Sequence, residues 1–422
     1  MPNQKPTKTL LILSQVYPPD PTSVGQHIAD VAEAMAKRGY NVLVLTANRG
    51  YNDPSVKYAS KELRDGVNVR RLPLSSFGKR SILLRLLGQG SFVVQCIVRG
   101  LFVGRLSCLL VSTSPPMCSV AALLISIVRR RPVTYWLMDL NPDQMIEMGW
   151  IKASSPIVKI FNWFNRRILR RSTGIVALDR FMAERVLRKA DVKDKLTVMP
   201  PWPHEGHLEV VAHEDNPFRK EHGLDGKFVI MYSGNHSLCT PLRTVLEAAL
   251  QLQDEPRLVF MFIGDGTGKK EVDDTIAEHQ PNNIRSLPYQ PLSQIKYSLS
   301  AADVHLVVVG PSEVGVRHPC KIYGAMALGR PILLLGPDPC HASDLVDEND
   351  LGWHIQHGDV DVAISTIKHM VDQDTGVLAE MGQRGKKIVN EQLSQDILCT
   401  RFCDIIESGV QSNAAPSRIP AH

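Results

Sequence analysis

Short uncharged runs alternate with amphipathic stretches along most of the chain. Leu10–Leu13 is one such run. A loop from Tyr17 to Gly25 follows it, and then a segment from Ile28 to Arg38 with apolar residues at Ile28, Val31, Ala32 and Met35. That spacing predicts one apolar helix face, which Gly39 ends before a second run, Asn41–Leu45. Strand, helix, strand in this order is a βαβ unit, and its repetition predicts a parallel sheet with helices on both faces. Further strands are expected at Val67–Leu72, Leu109–Val111, Val133–Leu137, Gly174–Ala177 and Leu196–Met199, a series closed by Pro200-Pro201-Trp202-Pro203.

From His204 to Glu221 the chain is charged and lacks apolar periodicity, which reads as a linker. A second series then begins. Its expected strands are Phe228–Tyr232, Leu258–Ile263, Ile284–Leu287, Val304–Val309 and Ile332–Leu335, with helices over Pro241–Gln251, Lys269–His279, Leu292–Ser300 and Pro319–Ala327. The expected architecture is α/β, with two doubly wound Rossmann-like domains (1–205 and 206–395) facing across a cleft. A C-terminal helix (396–408) and a disordered tail (409–422) complete it. In such sheets ligands bind at the C-terminal ends of the strands.

Length and composition agree with two sizeable cores: 422 residues, 44% hydrophobic and 22% charged. Eight scattered cysteines without a CxxC pair predict reduced, mostly buried thiols in a cytosolic protein, and the polar start from Met1 to Thr9 does not resemble a signal peptide. The uncharged run from Leu106 to Val128 approaches the length of a membrane span, but Pro115-Pro116 divides it into a strand and a helix.

The net charge of +5 conceals an asymmetry. Residues 1–205 hold 30 Lys and Arg against 14 Asp and Glu, and the remainder 18 against 29. Arginines recur beside apolar residues at Arg80/Arg85, Arg99/Arg105, Arg129–Arg131 and Arg166–Arg171, the last next to Phe161, Trp163 and Phe164. This pairing fits peripheral contact with an anionic membrane face through the basic N-terminal domain, and it equally fits solvated helix faces. No nucleic-acid-binding motif accompanies it, so nucleic acid is not the expected partner.

Candidate chemistry gathers at the ends of the predicted strands. Lys321 falls in the first turn of a short helix expected to start at Pro319, where an anion sharing the site makes both the ammonium and the free N–H groups favourable. Phosphate is the natural anion, and a surface lysine bending into water is the plain alternative. After Phe228–Tyr232 comes Ser233-Gly234-Asn235-His236, with Thr240 as an expected N-cap, Pro241 as first helical residue and Arg243 in the first turn. Two such helix starts can converge on one diphosphate. Gly264-Asp265-Gly266-Thr267-Gly268-Lys269 lacks the spacing of a phosphate loop and reads as a tight structural turn.

In the first half, Asp139 follows the strand Val133–Leu137, either at the rim of the ligand site or as a cap for the helix after Pro142, with Glu147 a lesser candidate. In the loop 18–25, Gly25 admits a phosphate to a helix start at Gln26-His27, or simply serves a turn. His27, His236 and His318 are expected in rim loops. No His/Cys/Asp spacing matches a metal site, so no metal or other cofactor is expected, and no Gly-x-Ser-x-Gly elbow marks a hydrolase.

Taken in order, several of these pieces are similar to those of the retaining nucleotide-sugar glycosyltransferases of family 4, which have the two-domain GT-B fold, and most of all to the bacterial fucosamine-type and colanic-acid-type polysaccharide enzymes. The pieces are Tyr17-Pro18-Pro19 with Gly25, Ser112-Thr113-Ser114-Pro115-Pro116, Asp139-Leu140-Asn141-Pro142-Asp143, Tyr232-Ser233-Gly234-Asn235, Gly264-Asp265-Gly266, and Pro319-Cys320-Lys321-Ile322-Tyr323 leading to Ala325-Met326-Ala327-Leu328-Gly329-Arg330-Pro331. The resemblance implies that the C-terminal domain binds a nucleoside-diphosphate sugar, through Gly234, Asn235, Gly264 and Lys321 with Arg243 and Glu313 as further candidates. It places Gly25 beside the same donor and gives the acceptor, lipid-linked or polysaccharide, to the N-terminal domain.

Lys321 is then expected to stabilise the departing diphosphate without a divalent metal, and Asp139 to act near the reacting sugar, with retention of anomeric configuration. Three positions depart from the family pattern: Met138 precedes Asp139 where many relatives have a histidine, the Arg and Lys usual after Gly-Asn are absent around His236–Pro241, and Gly324 replaces the glutamate that often precedes Ala-Met-Ala. The expected activity is hexosyl transfer at the inner face of the cytoplasmic membrane. A nucleotide-sugar 2-epimerase of the same fold and a degenerate nucleotide-binding partner protein are the alternatives.

Overall fold

The computed structural model describes residues 8–50, 53–75, 82–204 and 209–414. The chain divides into two compact units. One comprises residues 1–201, 315–317 and 396–422, and the other residues 202–314 and 318–395. Arg80 and the tail beyond Ala414 lie outside the described residues.

The first unit is built on eight strands: β1 (Thr9–Leu13), β2 (Asn41–Ala47), β3 (Lys61–Arg64), β4 (Val67–Leu72), β5 (Leu106–Ser112), β6 (Val133–Leu137), β7 (Gly174–Ala177) and β8 (Leu196–Val198). Their order across the sheet is β3-β4-β2-β1-β5-β6-β7-β8, parallel throughout except for the antiparallel edge β3. Leu10–Leu13, Leu109–Val111 and Ile175–Ala177 are all buried, as expected for strands covered on both faces. The sheet reverses its order between β1 and β5, the kind of switch point at which doubly wound sheets bind ligands.

The second unit has a six-stranded, all-parallel sheet of β9 (Phe228–Ser233), β10 (Leu258–Ile263), β11 (Ile284–Leu287), β12 (Val304–Val308), β13 (Ile332–Leu335) and β14 (Gly352–Ile355), in the order β11-β10-β9-β12-β13-β14. Here the switch lies between β9 and β12. Phe260, Phe262, Leu306 and Leu333 belong to the core on one face of this sheet, and Met231, Val259 and Met261 to that on the other. Both units are Rossmann-like, as the periodicity predicts.

Several local expectations need correction. The first helix runs over Ser23–Lys37, not from Ile28, because Thr22 caps it by accepting from the Gly25 N–H. The charged stretch from His204 is not simply a linker: it contains the helix Pro217–Glu221, which buries Phe218 and Arg219. The Arg219 guanidinium donates to the carbonyls of Ala301, Leu224 and Lys227, which explains how a buried cation is tolerated.

The last helix, Gln395–Ala414, continues past the expected end at residue 408, so residues 409–414 are helical, not tail. From residue 396 on it belongs to the first unit, where Phe402 packs on Trp136 with ring centroids 4.1 Å apart and Asp404 and Glu407 pair with Arg38 at 2.7 and 2.8 Å. The eight cysteines are all free, six of them buried. No described helix is long and apolar enough to cross a membrane.

Candidate functional site

In the second unit, the loop after β9 and the start of the helix Lys321–Ala327 come together. Lys321 Nζ donates to the Asn235 carbonyl at 3.2 Å and stands 3.5 Å from the centre of the Tyr232 ring. The Tyr232 hydroxyl donates to the same Asn235 carbonyl at 2.8 Å, which locks the loop beneath the lysine.

Gly234 has φ +125°, a conformation that favours glycine, and a Cβ there would lie 2.8 Å from Lys321 Cε, so a side chain would push the end of the lysine aside. The helix begins at Lys321, two residues later than Pro319 suggests, because Pro319 and Cys320 form a turn whose carbonyls accept from Ile322 and Tyr323.

The glycine-rich turn after β10 supports this loop from below. A Cβ on Gly264 would collide with the Gly234 carbonyl, and one on Gly266 would lie 2.8 Å from Asn235 Oδ1. The His236 N–H donates to the Asp265 carbonyl, and Lys269 Nζ donates to the Gly264 carbonyl at 2.6 Å. The turn, Gly264 included, thus packs directly against the loop after β9.

His236 is buried and lies edge-on to Tyr232, and its Nδ1 is 3.0 Å from the Gly234 carbonyl. A carbonyl only accepts, so Nδ1 carries the proton and the ring is neutral. Burial first, and Lys321 second, hold its pKa down at about 4.

Two further donor-site candidates make contacts within their own segments. Arg243 opens the helix Arg243–Gln251 and so lies in its first turn as expected, with Leu242 and not Thr240 as the N-cap. Thr240 instead donates its hydroxyl to the Ser237 carbonyl, and Pro241 precedes the helix. The Arg243 side chain is 79% exposed and pairs with Glu247 at 2.6 Å along its own helix. Glu313 is buried in the loop after β12 and its carboxylate accepts from the Gly310 N–H at 3.2 Å, which shapes that loop at the β9/β12 switch.

Sequence reasoning missed a hydrogen-bonded row near the lysine. His318 Nε2, the Tyr323 hydroxyl and His341 Nε2 are joined by two 2.7 Å hydrogen bonds around a fully buried tyrosine. The row fixes the turn that precedes Lys321. Only the spacing of His318 and Tyr323 is visible locally; His341 comes from the helix after β13.

In the first unit, Thr113 just beyond β5 accepts through Oγ1 from the backbone N–H groups of Met138 and Asp139, at 3.2 and 3.0 Å. This fixes the peptide that carries Asp139 at the end of β6. The helix Asp143–Glu147 has Pro142 as N-cap and no side-chain cap, so Asp139 is not its cap. Asp139 Oδ1 instead stands 3.8 Å from Arg317 Nε, and the Leu140 N–H donates to the Val316 carbonyl at 2.9 Å. Surrounding protein raises the Asp139 pKa by desolvation, and Arg317 opposes the rise. Arg317 was not singled out in the sequence.

Glu147 pairs with Arg185 at 2.9 Å. Gly25 lies inside the first helix turn with its N–H held by Thr22, and a Cβ there would be 3.3 Å from the Tyr17 N, so it serves close packing. His27 is not in a rim loop: it is buried on that helix, with Nδ1 2.7 Å from the Ser23 carbonyl.

Residues 22–202 match the glycosyl transferase 4-like domain family, and residues 214–388 the glycosyl transferases group 1 family. A protein of Escherichia coli named as a colanic acid biosynthesis glycosyl transferase, WcaI, is 26% identical over 333 residues, 76% of this chain and 81% of its own length. A glycosyltransferase of Pseudomonas aeruginosa, WbjE, is 25% identical over 63% of this chain and 65% of its own.

Among solved structures, sucrose-phosphate synthase from Thermosynechococcus elongatus superposes with a TM-score of 0.72 at 13% identity, covering 96% of this chain and 100% of that one. Anabaena HepE in complex with UDP-glucose superposes with a TM-score of 0.70 at 16% identity, covering 95% and 99%.

Proposed function

This chain belongs to the GT-B glycosyltransferases, pairing a 4-like N-terminal domain with a group 1 C-terminal domain, and we propose that it moves a hexose-type sugar from a nucleoside-diphosphate donor to a lipid-linked or polysaccharide acceptor, with retention of anomeric configuration. In this reading the second unit holds the donor and the first unit the acceptor, and the reaction serves polysaccharide biosynthesis at the inner face of the cytoplasmic membrane. The names of WcaI and of the UDP-glucose complex of HepE support the substrate classes.

One observation carries the reading: the Lys321 ammonium, held over the loop after β9 by the Asn235 carbonyl and the Tyr232 ring, next to the switch point of the sheet. A fixed cation at that position offsets the charge that a diphosphate gains as the glycosidic bond breaks, the task otherwise given to a divalent metal. Asp139, its carboxyl pKa raised and its backbone fixed by Thr113, acts on the sugar being transferred or its acceptor hydroxyl.

Calorimetry with nucleoside diphosphates, run on the wild type and Lys321→Ala, tests the donor site. The variant is expected to bind at least tenfold more weakly, and equal affinity would overturn the assignment. Proton spectra of the first product formed report the anomeric configuration.

A further inference from the structure

Three helices of the first unit, Ile82–Leu101, Cys118–Arg129 and Pro156–Arg171, lie side by side as one layer over the sheet. Their ends are tied together: the Arg129 guanidinium donates to the carbonyls of Leu101 and Val103, and that of Arg171 to the Ser126 carbonyl at 3.0 Å. A helix that covers a sheet ordinarily turns its polar side outward. These do not. On the first helix Leu87, Val94 and Val98 recur at helical spacing and are 53–59% exposed. The middle helix presents Ile127 and Val128, at 53% and 64%, and the third Ile160 and Trp163, at 56% and 48%.

The charge on this layer has one sign. Residues 66–138 contain ten Lys and Arg and no Asp or Glu, and residues 148–178 contain six and none; all three helices come from these two stretches. The third helix adds Arg166, Arg167 and Arg170 beside its apolar residues, with Arg167 stacked over the Trp163 ring at 5.1 Å. An ordinary solvated face mixes charges of both signs. A protein partner covering this one would need a large apolar patch with a wholly acidic border. An anionic bilayer offers both at once, because acyl chains receive leucine, valine and tryptophan while headgroup phosphates receive arginine.

We infer that this three-helix layer is the surface by which the chain docks on anionic phospholipid, with Val94, Ile127, Val128 and Trp163 entering the headgroup boundary and Arg166, Arg167 and Arg170 binding phosphate. The inference rests on the proposed placement of the reaction at a membrane, and names the surface and the lipid class. The layer lies on the bilayer and does not cross it, in keeping with the absence among the described helices of any that is long and apolar enough to span.

The test uses the full chain and vesicles of phosphatidylcholine with or without phosphatidylglycerol, separated by sedimentation. The wild type is expected to bind the phosphatidylglycerol vesicles more than tenfold better, and to lose most of that preference in 0.5 M salt, where charges are screened. Two triple variants divide the contributions: Val94→Ser with Ile127→Ser and Val128→Ser, and Arg166→Gln with Arg167→Gln and Arg170→Gln. Each changes exposed side chains, keeps the melting temperature within a few degrees, and lowers vesicle binding about tenfold or more.

Equal binding to both vesicle types, or none, overturns the lipid assignment. Preserved anionic binding in both variants means that another surface docks, which overturns this inference and leaves the membrane placement standing. A wild-type dimer that both variants convert to monomer, with vesicle binding absent, makes a second copy the occupant and overturns it as well. Nucleotide affinity without vesicles, measured on the same variants, reports the glycosyltransferase reading separately.

Discussion

Lys321 and Tyr232 form a cation–π pair at 3.5 Å across 89 residues of sequence, and the tyrosine is itself fully buried. The ring therefore cannot turn aside, and it holds the ammonium at a fixed height. Tyr232→Leu removes the π face and also the hydroxyl that locks the Asn235 carbonyl, whereas Tyr232→Phe removes only the hydroxyl. With about 0.5–2 kcal/mol for the cation–π contact, the leucine variant is expected to weaken nucleoside-diphosphate binding roughly threefold to thirtyfold, and the phenylalanine variant less. Calorimetry on the two variants makes the comparison.

Asp139→Asn keeps the size and the backbone bonds to Thr113 while removing the ionisable carboxyl. If Asp139 acts on the reacting groups, turnover is expected to fall by about 100-fold or more with donor affinity within about threefold of the wild type. A proportionate loss of affinity would instead mark the residue as part of donor binding. Arg317→Gln in the same assay is expected to shift the acid limb of the pH–rate profile upward, because the cation opposes the raised pKa of Asp139.

Gly264→Ala places a methyl group against the Gly234 carbonyl at a backbone φ of +133°, which side chains rarely adopt. The loop below Lys321 must then shift. A destabilisation of about 1–3 kcal/mol is expected, read as a lower denaturant midpoint, together with weakened nucleotide binding. Ala at Gly223, where nothing lies within 4 Å, is the control for positive φ without crowding.

Protons favour the unfolded second unit at low pH. His236 and His305 are both buried with pKa values held at about 4, against an ordinary 6.5, so between those two values the unfolded chain binds more protons and stability falls as the pH drops. Melting temperatures measured from pH 7 to pH 4.5 are expected to fall through this window. His236→Asn, which keeps a donor for the Gly234 carbonyl and cannot titrate, is expected to flatten the dependence.

Most strands of both units were legible because a strand covered on two faces must be a continuous apolar run; β6, β7, β10 and β13 lie where their residues predict. The strands that escaped are edges. In β3, Glu62 is half-buried and Lys61, Leu63 and Arg64 are exposed, and β14 begins at a glycine and is only partly buried, so neither carries that signal. Lys321, Gly234 and Asn235 stood out because each punctuates the end of a buried strand or the start of a helix. The supports of these residues and of Asp139 carried less signal: Tyr232 and Thr113 entered only as members of longer motifs, and Arg317 and His341 not at all, because all four act through contacts that join distant segments. Arg243, at an exposed helix start, pairs with Glu247 four residues on along its own helix.

The rings of Phe402 and Trp136 impose an order of events on the making of this protein. Trp136 sits on β6 of the first sheet, and the aromatic group that covers it comes from a helix more than 250 residues later in the chain. While the chain is still emerging from the ribosome, the first unit has its strands yet lacks the helix that seals them. It can reach its full stability only once the helix Gln395–Ala414 has been made, and until then it presents an apolar face that chaperones recognise.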